Sequence, residues 1–336
     1  MASMKRTLSA IVTALALAAC SEPAPIDAAP VKPAITLASG VERHDLRFPC
    51  GPTQCAAWLY RPAGATKPPV VVMAHGFGGT RDVTLPAFAE HFAREGIAAL
   101  VFDYRSFGAS GGAPRQLVDP WKHLEDWRAA LAFVRVQTQL DGARVALWGT
   151  SLGGGLALVT GASEANVRAV VAQVPQIDAN MEGEATFPGV FWAIRLLFTG
   201  WGSMASEALG FGEWTIPAIA KSDGFGMIVD DRAYEASARG TPPGSTYRNE
   251  IVAHSIFTFD DYNPAVQASA IKASVLLIAA RKDRFAPFAA AEAFAKAHAN
   301  VTLAEIEGDH FDVYAPPRST EAAALAARFL KEHLAR

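Results

Sequence analysis

Residues 145–158 read VALWGTSLGGGLAL. An apolar run stops at Gly149, a lone serine follows, and three glycines come directly after Leu152. The composition changes from strand-like to helix-like within a few residues. A turn that sharp leaves no room for side chains two positions either side of its apex, which accounts for Gly149 and Gly153. The Ser151 hydroxyl is then lifted above the end of a strand and set at a helix N-terminus. Strand, G-x-S-x-G and helix in that order form the strained turn that presents a nucleophile.

The rest of the chain has the rhythm this turn needs. Short apolar runs at 70–74, 97–102, 144–148, 167–174, 274–279 and 301–306 alternate with helical spacing at 83–95, 119–136, 152–161, 288–298 and 320–334. Asp119 and Pro120 read as an N-cap and a first helical position. Continuous apolar strands alternating with helices imply a parallel sheet covered on both faces. The rhythm breaks at 178–265, which is rich in Phe, Trp, Gly and Met, and then resumes. The expected organisation is therefore a core of 39–177 and 266–336 interrupted by an insertion. With 51% hydrophobic residues and 19% charged, the chain has ample material for one large core. A net charge of −3 with no basic run or basic–aromatic stripe argues against a nucleic-acid partner.

The N-terminus reads as targeting. Lys5 and Arg6 precede LSAIVTALALAA, which is shorter than the ~20 apolar residues a bilayer span requires but suits the h-region of a signal peptide. The stretch 1–20 ends in Leu17-Ala18-Ala19-Cys20, which resembles a bacterial lipobox. That resemblance implies lipidation at Cys20, a membrane contact through the lipid, and an exported chain. Ser21 rather than Asp after the cysteine points to the outer membrane. Residues 21–38 are rich in Pro and Ala and read as a stiff tether. Export also bears on Cys50 and Cys55, which enclose GPTQ between two β-like runs. In an oxidising compartment they are expected to bridge a hairpin. No second pair exists to complete a zinc site, and no metal is expected.

A serine needs a base and an acid to become a nucleophile. Gly108-Ala109-Ser110-Gly111-Gly112 also fits G-x-S-x-G, but no strand precedes it and no helix follows, so Ser110 reads as a loop serine. Downstream of Ser151 lie His254, His298, His310 and His333. His298 and His333 fall in helical patterns and His254 in the insertion, whereas His310 follows the run 301–306 in a loop at a strand's C-terminal end. His310 is the expected base. Asp283 follows the SVLLIA strand in the same position, and is the expected acid that orients the imidazole. Asp309 and Asp312 are nearer in sequence but belong to the same tight loop as His310. An oxyanion hole needs two backbone N–H donors. Leu152, at the helix start, and Phe77, in His75-Gly76-Phe77-Gly78-Gly79, are expected to supply them. His75 reads as structural.

HGFGG at 75–79, DYRSFGASGG at 103–112, GTSLGG at 149–154, ARKDRFAP at 280–287 and GDHF at 308–311 together resemble the α/β-hydrolase superfamily. Within it the chain is similar to Xaa-Pro-peptidase-like, dienelactone-hydrolase-like and serine-aminopeptidase-like bacterial hydrolases. The resemblance implies a mostly parallel eight-stranded sheet with helices on both faces and a helical lid inserted after strand six. It implies a cofactor-free serine hydrolase acting on small-molecule esters, thioesters or amides. Ser151 departs from dienelactone hydrolases proper, which use cysteine. Carboxylester cleavage at the cell envelope is the leading expectation. The alternatives are an exported peptidase or amidase, which needs a lid carboxylate such as Glu182, Glu184, Asp230 or Asp231, and a non-catalytic binding lipoprotein. In the insertion, Trp192 and Phe198 are expected to line a pocket for an apolar acyl or aryl group.

Overall fold

The computed structural model describes residues 34–178 and 189–335. Cys20, Glu182, Glu184 and the leader and most of the tether lie outside these residues. The central sheet contains β1 (Ile35–Thr36), β2 (Glu42–Cys50), β3 (Thr53–Arg61), β4 (Pro69–Ala74), β5 (Ala98–Phe102), β6 (Asp141–Thr150), β7 (Val167–Gln173), β8 (Ser274–Ala280) and β9 (Val301–Ile306). Their order across the sheet is β1-β2-β3-β5-β4-β6-β7-β8-β9. From β4 and β5 onward every pairing is parallel, while β1, β2 and β3 run antiparallel to their neighbours at one edge. Eight strands match the expected sheet. The ninth, β1, is a two-residue edge strand made from residues otherwise read as tether.

Alternate residues of each strand serve opposite faces. Val71 and Met73 of β4 meet α1 (Leu85–Arg94) and the C-terminal helix Arg318–Leu334 through Phe88, Phe92, Ala326 and Leu330. Val70 and Val72 face the other core, where α2 (Pro120–Arg135) and α3 (Leu152–Ser163) bring Leu124, Trp127, Leu131 and Leu156. Asp119 caps α2 as the sequence suggests, its side chain accepting from the N–H groups of Trp121 and Lys122. Trp121 is exposed, and its indole N–H donates to the Asp260 carbonyl.

The hairpin of β2 and β3 is closed by a Cys50–Cys55 disulfide with its Cα atoms 5.7 Å apart. The insertion follows β7. Its described part contributes α4 (Val190–Ala208), α5 (Asp231–Gly240) and two pairs of two-residue strands. Because the sheet is parallel around β4, β6, β8 and β9, the loops after these strands open on one rim. The chain order reverses on either side of β4, and that switch point leaves a crevice beyond the strand ends. The insertion lies over this crevice.

Candidate active site

Ser151 forms the joint between β6 and α3 with φ 56° and ψ −124°, a strained backbone for a residue with a side chain. Its N–H donates to the Gln173 carbonyl, and its carbonyl accepts from the N–H groups of Gly154, Gly155 and Gln176. The surrounding chain therefore holds the strain in place. A Cβ on Gly149 would run into the Gly153 carbonyl, and one on Gly153 into the His75 carbonyl. These contacts are the steric reason for both glycines.

The structure brings Ser151, Asp283 and His310 together. His310 Nε2 lies 3.0 Å from Ser151 Oγ, and His310 Nδ1 lies 2.8 Å from Asp283 Oδ2. The second Asp283 oxygen accepts from the N–H groups of Phe285 and Ala286 at 2.8 and 2.7 Å. An ionised Asp283 can only accept, so His310 carries its proton on Nδ1 and leaves Nε2 free to take one from Ser151. Phe285 and Phe311 pack their rings 5.6 and 5.1 Å from the imidazole and restrict its rotation. The cations flanking Asp283 turn elsewhere. Arg281 pairs with Glu305, and Arg284 pairs with Asp230.

Asp309 and Asp312 are engaged away from the imidazole, Asp312 within the loop and Asp309 both there and by Arg232 of the insertion. Asp309 accepts from the Phe311 N–H, while Asp312 accepts from the Asp309 N–H. Ser110 is buried in a structural role, accepting from the Ala56 N–H and donating to the Asp103 carbonyl. His254 lies by Ser203 and His298 by Phe294, both outside the relay.

Leu152 opens α3, so its N–H has no acceptor within the helix and faces outward at the positive end of the helix dipole. Phe77 lines the cavity beside Ser151. A Cβ on the preceding Gly76 would come within 2.9 Å of Ser151 Cβ, so only glycine lets this loop approach so closely. His75 beneath the loop is buried, its Nδ1 2.9 Å from the Gly76 carbonyl, and loss of water pulls its pKa below the usual imidazole value.

The relay sits on the floor of a cavity of about 870 Å³ roofed by the insertion. Trp192, Leu196, Ile219, Met227, Ile256 and Phe257 give it a largely apolar wall, and Arg232, Glu235 and Arg239 of α5 add charge. Trp192 fits the expected pocket role, with its indole N–H donating to the Gly226 carbonyl at 3.0 Å. Phe198 does not. It is 66% exposed on the opposite side of α4, edge-on to Trp201 at 5.9 Å. The helix is apolar all round, and its packing over the crevice, which periodicity does not reveal, decides which side faces inward.

Two contributors went unrecognised in the sequence. Tyr314 lines the cavity, and its hydroxyl lies 2.7 Å from Thr150 Oγ1, adjacent to the nucleophile position. Arg232 pairs with Asp309 at 2.8 Å. Tyr314 follows four residues after His310, and nothing local distinguished it.

The model of the serine aminopeptidase S33 family matches residues 66–309. The chain is 36% identical over 270 residues to the quorum-quenching protein AidA of Acinetobacter baumannii, covering 80% of this chain and 88% of that one. In fold it is similar to the α/β hydrolase GrgF from a Penicillium species, with a TM-score of 0.76 at 22% identity over 88% of this chain and 99% of that one. It is also similar to Est1E of Butyrivibrio proteoclasticus, solved with ferulic acid bound, with a TM-score of 0.60 at 18% identity over 87% and 100% of the two chains.

Proposed function

This chain belongs to the serine aminopeptidase S33 family of α/β hydrolases, and we propose that it is a serine carboxylesterase attached to the cell envelope. One observation carries the catalytic reading. The hydrogen-bonded line Asp283–His310–Ser151 ends at the floor of a largely apolar cavity.

Ser151 Oγ attacks the ester carbonyl carbon while His310 Nε2 takes the hydroxyl proton. Asp283 holds the imidazole and stabilises its cation. The carbonyl oxygen becomes an oxyanion facing the N–H groups of Phe77 and Leu152. Collapse expels the alcohol, which leaves with the proton from His310. Water then gives a proton to His310 and attacks the acyl-Ser151 carbonyl. The acid departs, and the proton returns to Ser151 Oγ.

The peptidase reading has less support. A free amine would need a carboxylate in the cavity; among the described lid carboxylates Asp230 is engaged by Arg284, Asp231 accepts from the Ser222 N–H and hydroxyl, and Glu235 in the cavity wall pairs with Arg239 at 3.7 Å. A non-catalytic binding role leaves the strained serine and its relay without a purpose. The A. baumannii relative is a quorum-quenching protein, so small signalling molecules with a hydrolysable acyl bond belong among the substrates to be tried. Attachment to the envelope rests on the leader and Cys20 alone.

The test is a panel of p-nitrophenyl esters of graded acyl length set against dipeptide p-nitroanilides. The esterase reading expects kcat/KM for the best ester to exceed that for any dipeptide by at least ~10²-fold, a ΔΔG‡ of about 2.7 kcal/mol. Faster turnover of dipeptides would overturn it.

A further inference from the structure

The outward side of α4 is an apolar surface that the hydrolytic site does not use. Phe191 is 85% exposed, Ile194 44%, Phe198 66% and Trp201 58%, and the surface runs past the helix end to Leu209 and Phe211. Within α4 the ionisable side chains are Arg195 and Glu207. Arg195 folds over the Phe225 ring at 3.9 Å. Trp201 stacks on Phe257, which props it in place. Exposed apolar patches of this breadth mark a docking surface.

From this we propose that the outer side of α4 docks on an uncharged lipid surface. Three observations favour lipid. First, the protruding side chains are aromatic and aliphatic, the composition that settles at the boundary between headgroups and acyl chains. Among the described residues no basic cluster accompanies them, so neutral headgroups suffice. Second, Leu197 lies both in the cavity wall and at the surface, with Trp192 and Leu196 on its inward side. The apolar lining is thus continuous with the patch, and an apolar substrate can pass from lipid to cavity along α4. Third, the chain between Cys20 and Ile35 extends no further than about 50 Å. On the reading that Cys20 carries lipid, the folded part stays within that distance of a bilayer. A second copy suits the patch less well. A coiled-coil seam repeats Leu, Ile and Val along one helix, whereas here the bulky rings of Phe191, Phe198 and Trp201 interrupt the aliphatic positions, and the surface continues past the helix into the turn at Leu209–Phe211.

The test uses the full chain carrying Cys20→Ala, so that residue 20 takes no label. An environment-sensitive fluorophore is attached at Phe198→Cys. In a second protein it is attached at Ala165→Cys, an exposed position between α3 and β7 at the opposite end of the sheet. Each is mixed with excess phosphatidylcholine vesicles, with and without nitroxide-bearing acyl chains. Lipid docking predicts a blue shift at position 198 and at least twofold stronger nitroxide quenching there than at 165. The same response is expected with Ser151→Ala, so docking stands or falls separately from catalysis. An unchanged spectrum at 198 overturns the proposal. A shift at 198 that needs no vesicles and grows with protein concentration overturns it in favour of a second copy.

Discussion

Arg232 on α5 places its guanidinium 2.8 Å from the carboxylate of Asp309, the residue immediately before His310. A second pair of opposite polarity lies beside it. Arg284, immediately after Asp283, reaches Asp230 at the start of α5 at 2.8 Å. The insertion is thus tied to both loops that supply the base and the acid. Arg232 is largely exposed, so the pair contributes at most about 1 kcal/mol and is screened by salt. Arg232→Met is expected to lower kcat by no more than about fivefold. The variant should lose the salt sensitivity of the wild type, measured as kcat/KM at 0.05 and 1 M NaCl. Equal salt sensitivity in both proteins would rule out a positioning role for this pair.

Gly76→Ala puts a methyl group 2.9 Å from Ser151 Cβ and 3.1 Å from the Thr150 carbonyl. The fold can give locally, but only by moving the 75–79 loop, with the proposed Phe77 donor, away from Ser151. A displacement near 1 Å costs about 10² in rate. The expected result is a kcat lower by roughly that factor with Tm nearly unchanged, read from steady-state kinetics and thermal unfolding. Wild-type kcat would contradict the placement of the oxyanion donors.

Trp192 lines the cavity and Phe198 does not, so their alanine variants should part company. Trp192→Ala enlarges the cavity and should move the preferred ester towards longer acyl chains. Phe198→Ala should leave the chain-length profile on soluble esters unchanged. The measurement is the ratio of kcat/KM values across the panel.

His75 and His123 are buried, each against the Tyr104 ring at 4.7 and 4.1 Å. Loss of water lowers the pKa of both, that of His123 well below 6.5. The unfolded chain therefore takes up protons below about pH 6.5 that the folded chain refuses. Stability from this source is full above that pH and falls as pH drops towards the folded pKa values. Between pH 7 and 5.5 one such imidazole costs about 1 kcal/mol. His123→Phe should reduce the loss over that interval by about that amount in urea unfolding. An unchanged pH slope would show that His123 carries its proton in the folded state.

Much of this site was legible because chemistry and topology speak at strand ends. Ser151, Asp283 and His310 each follow an apolar run, and a parallel sheet brings such ends to one rim. The same reasoning placed Phe77 beside Ser151 in the cavity and Leu152 at a helix start. The side of α4 was not legible, because Phe191, Trp192, Phe198 and Trp201 recur at helical spacings all round the helix. Only packing over the crevice turned Trp192 in and left Phe198 out. The ties from Arg232 and Tyr314 join residues distant in sequence from their partners, and no local pattern announces them.

The most direct measurement of the central claim is fluorophosphonate labelling of the folded protein, with the adduct located by peptide mass spectrometry. The account predicts a single adduct on Ser151, lost in Ser151→Ala and strongly slowed in His310→Ala. A folded protein that takes no label, or carries it on Ser110 instead, would contradict the account.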